Sequence, residues 1–199
     1  MDETLLCLLR DYETAKEVAK HIDRLNEEIV KIVDKYLSEV TKDKWNVIEA
    51  SIDDSFMITK DTWVTNNDDW MACFAFEIDD NEDDYDYWLN HMLGHSKFPF
   101  KIVCSFSGLL RTDCCEKSEI IDATKELAVK LIANGFSEST TKGKKAYFFS
   151  RPIKFEKQKL IEAFENESPP DGISILGDIV DELDNYVPLI EDVVQKFRQ

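Results

Sequence analysis

The first glycine of the chain is Gly94, and no proline comes before it. So long a stretch without either chain breaker has to be built from extended regular elements, because glycine and proline are the usual punctuation between short ones. Leu5, Leu8, Tyr12, Ala15, Ala19, Ile22, Asn26, Ile29, Val33, Tyr36 and Val40 follow one another at alternating spacings of three and four. That is an a/d seam, and it predicts one helix of about 54 Å at about 1.5 Å per residue. Glu13, Glu17, Lys20, Arg24, Glu27, Glu28, Lys31, Asp34 and Lys35 lie between the seam positions as a solvated face. Leu9, Val18, Leu25, Val30, Ile32 and Leu37 widen the stripe, so the helix should meet more than one neighbour. Asn26 falls inside the seam, where a buried amide fixes register and partner number at a cost in stability.

A matching pattern closes the chain: Ile173, Leu176, Val180, Leu183, Val187, Ile190, Val194 and Phe197 repeat the same spacing. Pro188 must kink or split that segment, since it lacks an amide hydrogen and clashes with the preceding turn. The terminal helices are expected to pack on each other, with Leu183 against Ile22 or Ile29. A homodimeric coil through Leu8, Tyr12, Ile22, Asn26, Ile29 and Val33 fits the same periodicity.

The middle of the chain has the period of strands. Trp70, Ala72, Phe74, Phe76 and Ile78 alternate with Met71, Cys73, Ala75 and Glu77. Further strands are predicted at Asn46 to Ile52, Ser55 to Val64, Phe100 to Phe106 and Lys145 to Phe155. Pro152 should put the last at a sheet edge or end it in an extended segment. Ile120, Ile121, Thr124, Leu127, Ala128, Leu131 and Ile132 mark a helix, with Asp113 and Glu116 as cap candidates and Asn134-Gly135 as its stop. A shorter helix carries Leu160, Ile161 and Phe164 and ends before Pro169-Pro170. The expectation is an α+β fold: a long helix over 1–42, a core over 43–168 with a mainly antiparallel sheet of four to five strands, and C-terminal helices over 169–199 that pack on the first helix.

Charge is distributed unevenly. The 199 residues carry a formal net charge of -17, yet Asp61 to Ser96 and Leu160 to Gln195 contain no Lys or Arg and hold ten acids each. The remainder is slightly basic, most of all between Lys142 and Lys159. Fields of one sign speed encounter with oppositely charged partners and repel nucleic acid. In the basic segment, Tyr147, Phe148, Phe149 and Phe155 interleave with Lys144, Lys145, Arg151 and Lys154. Such a pattern can stack bases, but a buried strand face is the simpler reading, and direct nucleic-acid binding is disfavoured.

No reaction motif is present. The acidic loop at 77–86 fails the EF-hand pattern, with Asp84 where a glycine is needed and Asn90 where a bidentate Glu belongs. His91 and His95 have a spacing that can reach zinc from one helical face, with Cys114 and Cys115 as further donors, but Gly94 weakens that helix and the cysteines lack the usual zinc spacing. Ser105-Phe106-Ser107-Gly108 lacks the first glycine of a nucleophile elbow, and Gly143-Lys144-Lys145 lacks the rest of a phosphate-binding loop. Five cysteines without framework spacing suit reduced thiols. Met1-Asp2-Glu3 is acidic where a signal peptide is basic, and no apolar run reaches the roughly 18 residues of a membrane span.

The sequence therefore leads to a cytoplasmic, non-enzymatic, acidic protein-binding module without cofactor or metal. Its partner is expected to be a basic protein, such as a nucleic-acid-binding enzyme that the module inhibits in the manner of an immunity protein, carboxylates standing where phosphates would sit. Asp79, Asp80, Glu82, Asp83, Asp84 and Asp86 are the expected contacts, with Trp70, Tyr85, Tyr87 and Trp88 as anchors. The alternative is a homo-oligomer assembled through the N-terminal helix. A hydrolase with an unrecognised carboxylate or metal site comes third.

Overall fold

The computed structural model describes residues 11–50, 52, 55–64, 69–78, 88–95, 99–111, 115–139 and 147–198. Helix α1 (Tyr12–Thr41) realises the described part of the N-terminal seam over 30 residues, about 45 Å. Its stripe has two different fates. Ile29, Val30, Val33, Leu37 and Thr41 are buried, whereas Tyr12, Val18, Ile22 and Leu25 remain 61%, 51%, 40% and 40% exposed. No glycine is at hand to end the helix, and Asp43 takes the left-handed conformation (φ 61°) instead. The Trp45 amide then returns to the Thr41 carbonyl (2.9 Å), which turns the chain into the sheet.

Six described strands, β1 (Asn46–Glu49), β2 (Phe56–Thr59), β3 (Cys73–Ile78), β4 (Phe100–Ser105), β5 (Ser137–Glu138) and β6 (Phe148–Pro152), form one antiparallel sheet in the order β1-β2-β3-β4-β6-β5. Each predicted strand exists but is shorter than its pattern. The predicted Ser55–Val64 strand stops at Thr59 and continues as a 3₁₀ turn over Asp61–Trp63, and Trp70 contributes an isolated bridge to Val64 ahead of β3. At two residues, β5 is too short to show a period. Pro152 does not make β6 an edge strand. Because β5 pairs only Phe149 and Ser150, no described residue beside Pro152 asks for the amide hydrogen it lacks. In β1, Val47 pairs with Ile58 and Glu49 with Met57, so Ile48 is an extra residue in the ladder; Val47 and Ile48 are both exposed.

The remaining helices are α2 (Trp88–Met92), α3 (Ser107–Arg111), α4 (Lys117–Ala123), α5 (Lys125–Ala133), α6 (Lys157–Glu165), α7 (Pro169–Gly172), α8 (Ile175–Leu183) and α9 (Val187–Phe197). The single helix expected around Ile120–Ile132 divides at Thr124 (φ -92°, ψ 3°), whose buried hydroxyl bonds the Ile120 carbonyl and the Tyr147 hydroxyl. Glu116 and Glu119 form its capping box; Asp113 lies outside the described residues. Pro188 splits the C-terminal segment as expected, and it sits in the first turn of α9, where the missing amide hydrogen costs nothing.

Helix α1 packs on α7 and α8, as well as on α2, β1 and β2. The core is built where the large side chains of the sheet meet this layer. Phe74 touches Trp45 (5.7 Å between ring centroids), Trp63 (6.1 Å) and Tyr186 (6.5 Å), and Tyr186 in turn meets Phe136 (6.0 Å). Arg151 on β6 grips Glu182 on α8 through two hydrogen bonds of 2.8 and 2.9 Å, and the Tyr186 hydroxyl donates to the same carboxylate (2.8 Å). Leu183 is fully buried and shares the core with Ile29, whereas Ile22 is 40% exposed and lies outside it.

Leu183→Ala should lower unfolding free energy by about 2–5 kcal/mol in urea titration, whereas Val129→Ala, at a 72% exposed site, should change it by no more than about 0.5 kcal/mol. Asn26 Oδ1 is enclosed and accepts no hydrogen bond from a described residue. Asn26→Leu should therefore raise the unfolding free energy, by about 1–3 kcal/mol.

Candidate functional site

Of the expected contact residues, Asp79, Asp80, Glu82, Asp83, Asp84, Tyr85, Asp86 and Tyr87 lie outside the described residues, as do Leu8, Cys114, Lys144 and Lys145. The two tryptophans flanking them are described, and they part company. Trp88 is not a surface anchor: it is 5% exposed and stands edge-on to Phe100 at 5.0 Å, because α2 turns its apolar side into the core. Trp70 is half-buried on the other side of the sheet, with the Arg111 guanidinium 4.2 Å above its ring. His91 is buried beside Trp88 while His95 is exposed, so the two imidazoles do not share an environment. Among the described residues no three His, Cys, Asp or Glu side chains converge as metal ligands.

The basic segment is likewise dispersed where it is described. Tyr147 and Phe149 are buried, Phe155 stacks on Phe100 (5.8 Å), and Arg151 is committed to Glu182. These rings are core, not a stacking platform for bases.

The second acidic block folds into α6 to α9. Three of its members are ion-paired among the described residues, Asp181 with Lys44 (2.6 Å), Asp184 with Lys60 (3.5 Å) and Glu182 with Arg151 (2.8 Å), and Glu191 accepts a hydrogen bond from the Thr62 hydroxyl (2.9 Å). Glu162, Glu165, Glu167, Asp171 and Asp178 are exposed along α6, α7 and α8 and form none of the ion pairs found among the described residues. Their field reaches the helix beneath. Burial first, and then Asp178, Asp181 and Asp171, push the Tyr36 phenol above its ordinary pKa.

Beside this ridge lies an apolar groove of about 290 Å³ between α1, α2 and α6. Leu25, Ile29, Leu93, Leu160, Ile161 and Phe164 line it, with Glu165 on its rim. It opens where the buried half of α1 gives way to the exposed half, and Leu25 belongs to both surfaces. The sequence placed Ile161 and Phe164 on a helix, but only the fold brings Leu93 and α1 against them.

A second depression, of about 280 Å³, crosses the opposite face of the sheet. Met57, Trp70, Cys73, Ala75, Glu77, Val103, Ser105, Ser107, Arg111 and Phe148 line it. Burial pushes the Cys73 thiol well above its ordinary pKa, with Glu77 adding to the shift and Arg111 opposing it, so the thiol is neutral. Sequence reading passed over Arg111 because an isolated arginine has no period or spacing to announce it.

The chain shows no match to any protein-family model, to any curated protein or to any solved structure with which it was compared. No helix among the described residues is long and apolar enough to cross a membrane.

The Arg151–Glu182–Tyr186 cluster predicts the acid response of the fold. Burial alone would raise the Glu182 pKa, but hydrogen bonds from Arg151 and Tyr186 and the guanidinium charge outweigh it and hold the group below the ordinary carboxylate range. A depressed folded-state pKa contributes stability that is complete above the unfolded value and disappears as pH falls through the folded one. Glu182→Gln should thus be less stable than the wild type at pH 7, by about 1–3 kcal/mol. The gap should close on acidification below the ordinary carboxylate range, which urea unfolding across that pH window will measure.

Proposed function

We propose that the protein is a binding module for a basic protein surface. One observation carries the reading: the apolar groove between α1, α2 and α6 is rimmed by Glu165 and lies beside carboxylates that the described cations leave unpaired. An apolar slot with an acidic border suits a cationic segment that inserts aliphatic or aromatic side chains and lays its lysines or arginines on the rim. The acidic run Asp79–Asp86, between β3 and α2 in the chain, adds a second field of the same sign. In its finer form the reading makes the protein an antagonist of a nucleic-acid-binding enzyme, its carboxylates occupying phosphate positions.

A labelled amphipathic helical peptide of leucine and lysine serves as the probe. Its association rate should fall steeply with added salt, and replacing Glu162, Glu165 and Glu167 with Gln should lower the rate and flatten that dependence. Phe164→Ser should speed dissociation by about tenfold or more while leaving the salt slope intact. Association that ignores both ionic strength and these substitutions would sink the proposal.

A second reading, self-assembly through the N-terminal half of α1, is favoured by the exposed apolar side chains of Tyr12, Val18, Ile22 and Leu25. It requires a sedimentation coefficient that rises with concentration and returns to a monomer value in Val18→Glu with Ile22→Glu. A monomer at every concentration rejects it.

A further inference from the structure

The trough on the outer face of the sheet lies away from the acidic groove, and its chemistry has the opposite sign. Cys73, Ala75, Val103 and Ser105 point to this face from the two central strands, as the pairing of Cys73 with Ser105 and Ala75 with Val103 requires. They are small, and they stand apart from the main core. The flanking strands contribute Met57 from β2 and Phe148 from β6, so the floor is low in the middle and walled on both sides by apolar side chains.

One end of the trough is cationic by construction. Helix α3 presses so closely on Trp70 that a Cβ on Gly108 would stand 1.8 Å from the Trp70 carbonyl oxygen, a contact that only glycine permits. That approach sets Arg111, three residues on, with its guanidinium 4.2 Å over the Trp70 ring. None of the ion pairs among the described residues includes Arg111, in a chain of net charge -17. Two hydroxyls line the same end: Ser105 Oγ donates to Ser107 Oγ (3.0 Å) and accepts from the Ser107 amide (3.2 Å). At the far end Glu77 is neutralised by Lys101 at 3.4 Å.

We propose that this trough is a binding site for a small aromatic carboxylate, its ring lying on Ala75 and Val103 between Met57 and Phe148 and its carboxylate paired with Arg111 and with the Ser107 hydroxyl, whose proton the Ser105 contact leaves available. A volume of about 280 Å³ holds one ring system on a short chain, and it is too small for a folded segment of a partner. A guanidinium stacked on an indole keeps its edge free, and that edge presents two parallel donors to a carboxylate.

The test is a titration of ¹⁵N-labelled protein with benzoate, 3-phenylpropionate and indole-3-acetate, each beside its primary amide, read at the Trp70 indole N–H. At least one acid should shift that resonance saturably, and its amide should bind about tenfold more weakly or worse, the difference a charge-assisted pair supplies. Arg111→Gln should bring acid and amide to equal affinity. Ala75→Leu, which fills the floor, should abolish binding of both, and Ser107→Ala, which leaves the floor untouched, should weaken the acid alone should the first variant fail to fold. The proposal is overturned when no acid moves the Trp70 resonance at about 10 mM, when acid and amide bind alike, or when the preference survives in Arg111→Gln.

Discussion

The alternation of side-chain size along β3 governs the molecule. Phe74 and Phe76 face one way, Cys73 and Ala75 the other, and the strand lies at the centre of a sheet whose neighbours are in strict antiparallel register. Helices α1, α8 and α9 bury their apolar faces in the cluster that holds these phenylalanines, where there is enough surface to repay the ordering of a helix. A register slip of one residue would turn the phenylalanines outward and leave α1, α8 and α9 without a floor. The two faces thus divide the work: one holds the protein together, and the other is shaped by what it lacks.

The long helix shows the same division along its length. From Ile29 onward its stripe is buried in the core; before Ile29 it continues with the same spacing, but Tyr12, Val18, Ile22 and Leu25 stay exposed. The stripe is longer than the body it leans on. Apolar surface left over in this way is available for association, and the acidic ridge on α6 to α8 makes cationic surfaces the favoured company.

The fold class was legible because its main signals are periodic. A seam at three-four spacing and alternation in Trp70–Ile78 survive any choice of tertiary context, and so did the joining of the two chain ends. What escaped was local or relational. Thr124 divides a helix through a hydroxyl that finds Tyr147, a partner 23 residues away. Trp88 read as a surface anchor because aromatic residues are enriched at binding hot spots, yet its ring packs edge-on against Phe100 in the core. The groove and the trough are assembled from three and more elements each, and no window of sequence contains them. Gly108 was visible only as a missing motif, although its value lies in the closeness of Trp70.

The extra residue at Ile48 bears on how the protein behaves in a crowded solution. An outermost strand with two exposed β-branched side chains in succession is a template on which another chain can add its own strand. The bulge interrupts the even spacing of amide and carbonyl groups within a strand only four residues long, so a newcomer cannot find a continuous ladder to join. At the opposite margin the terminal strand offers two residues and nothing more. Against strand-to-strand addition, the described margins of the sheet thus set their brevity and one residue out of step beside the net charge of the chain.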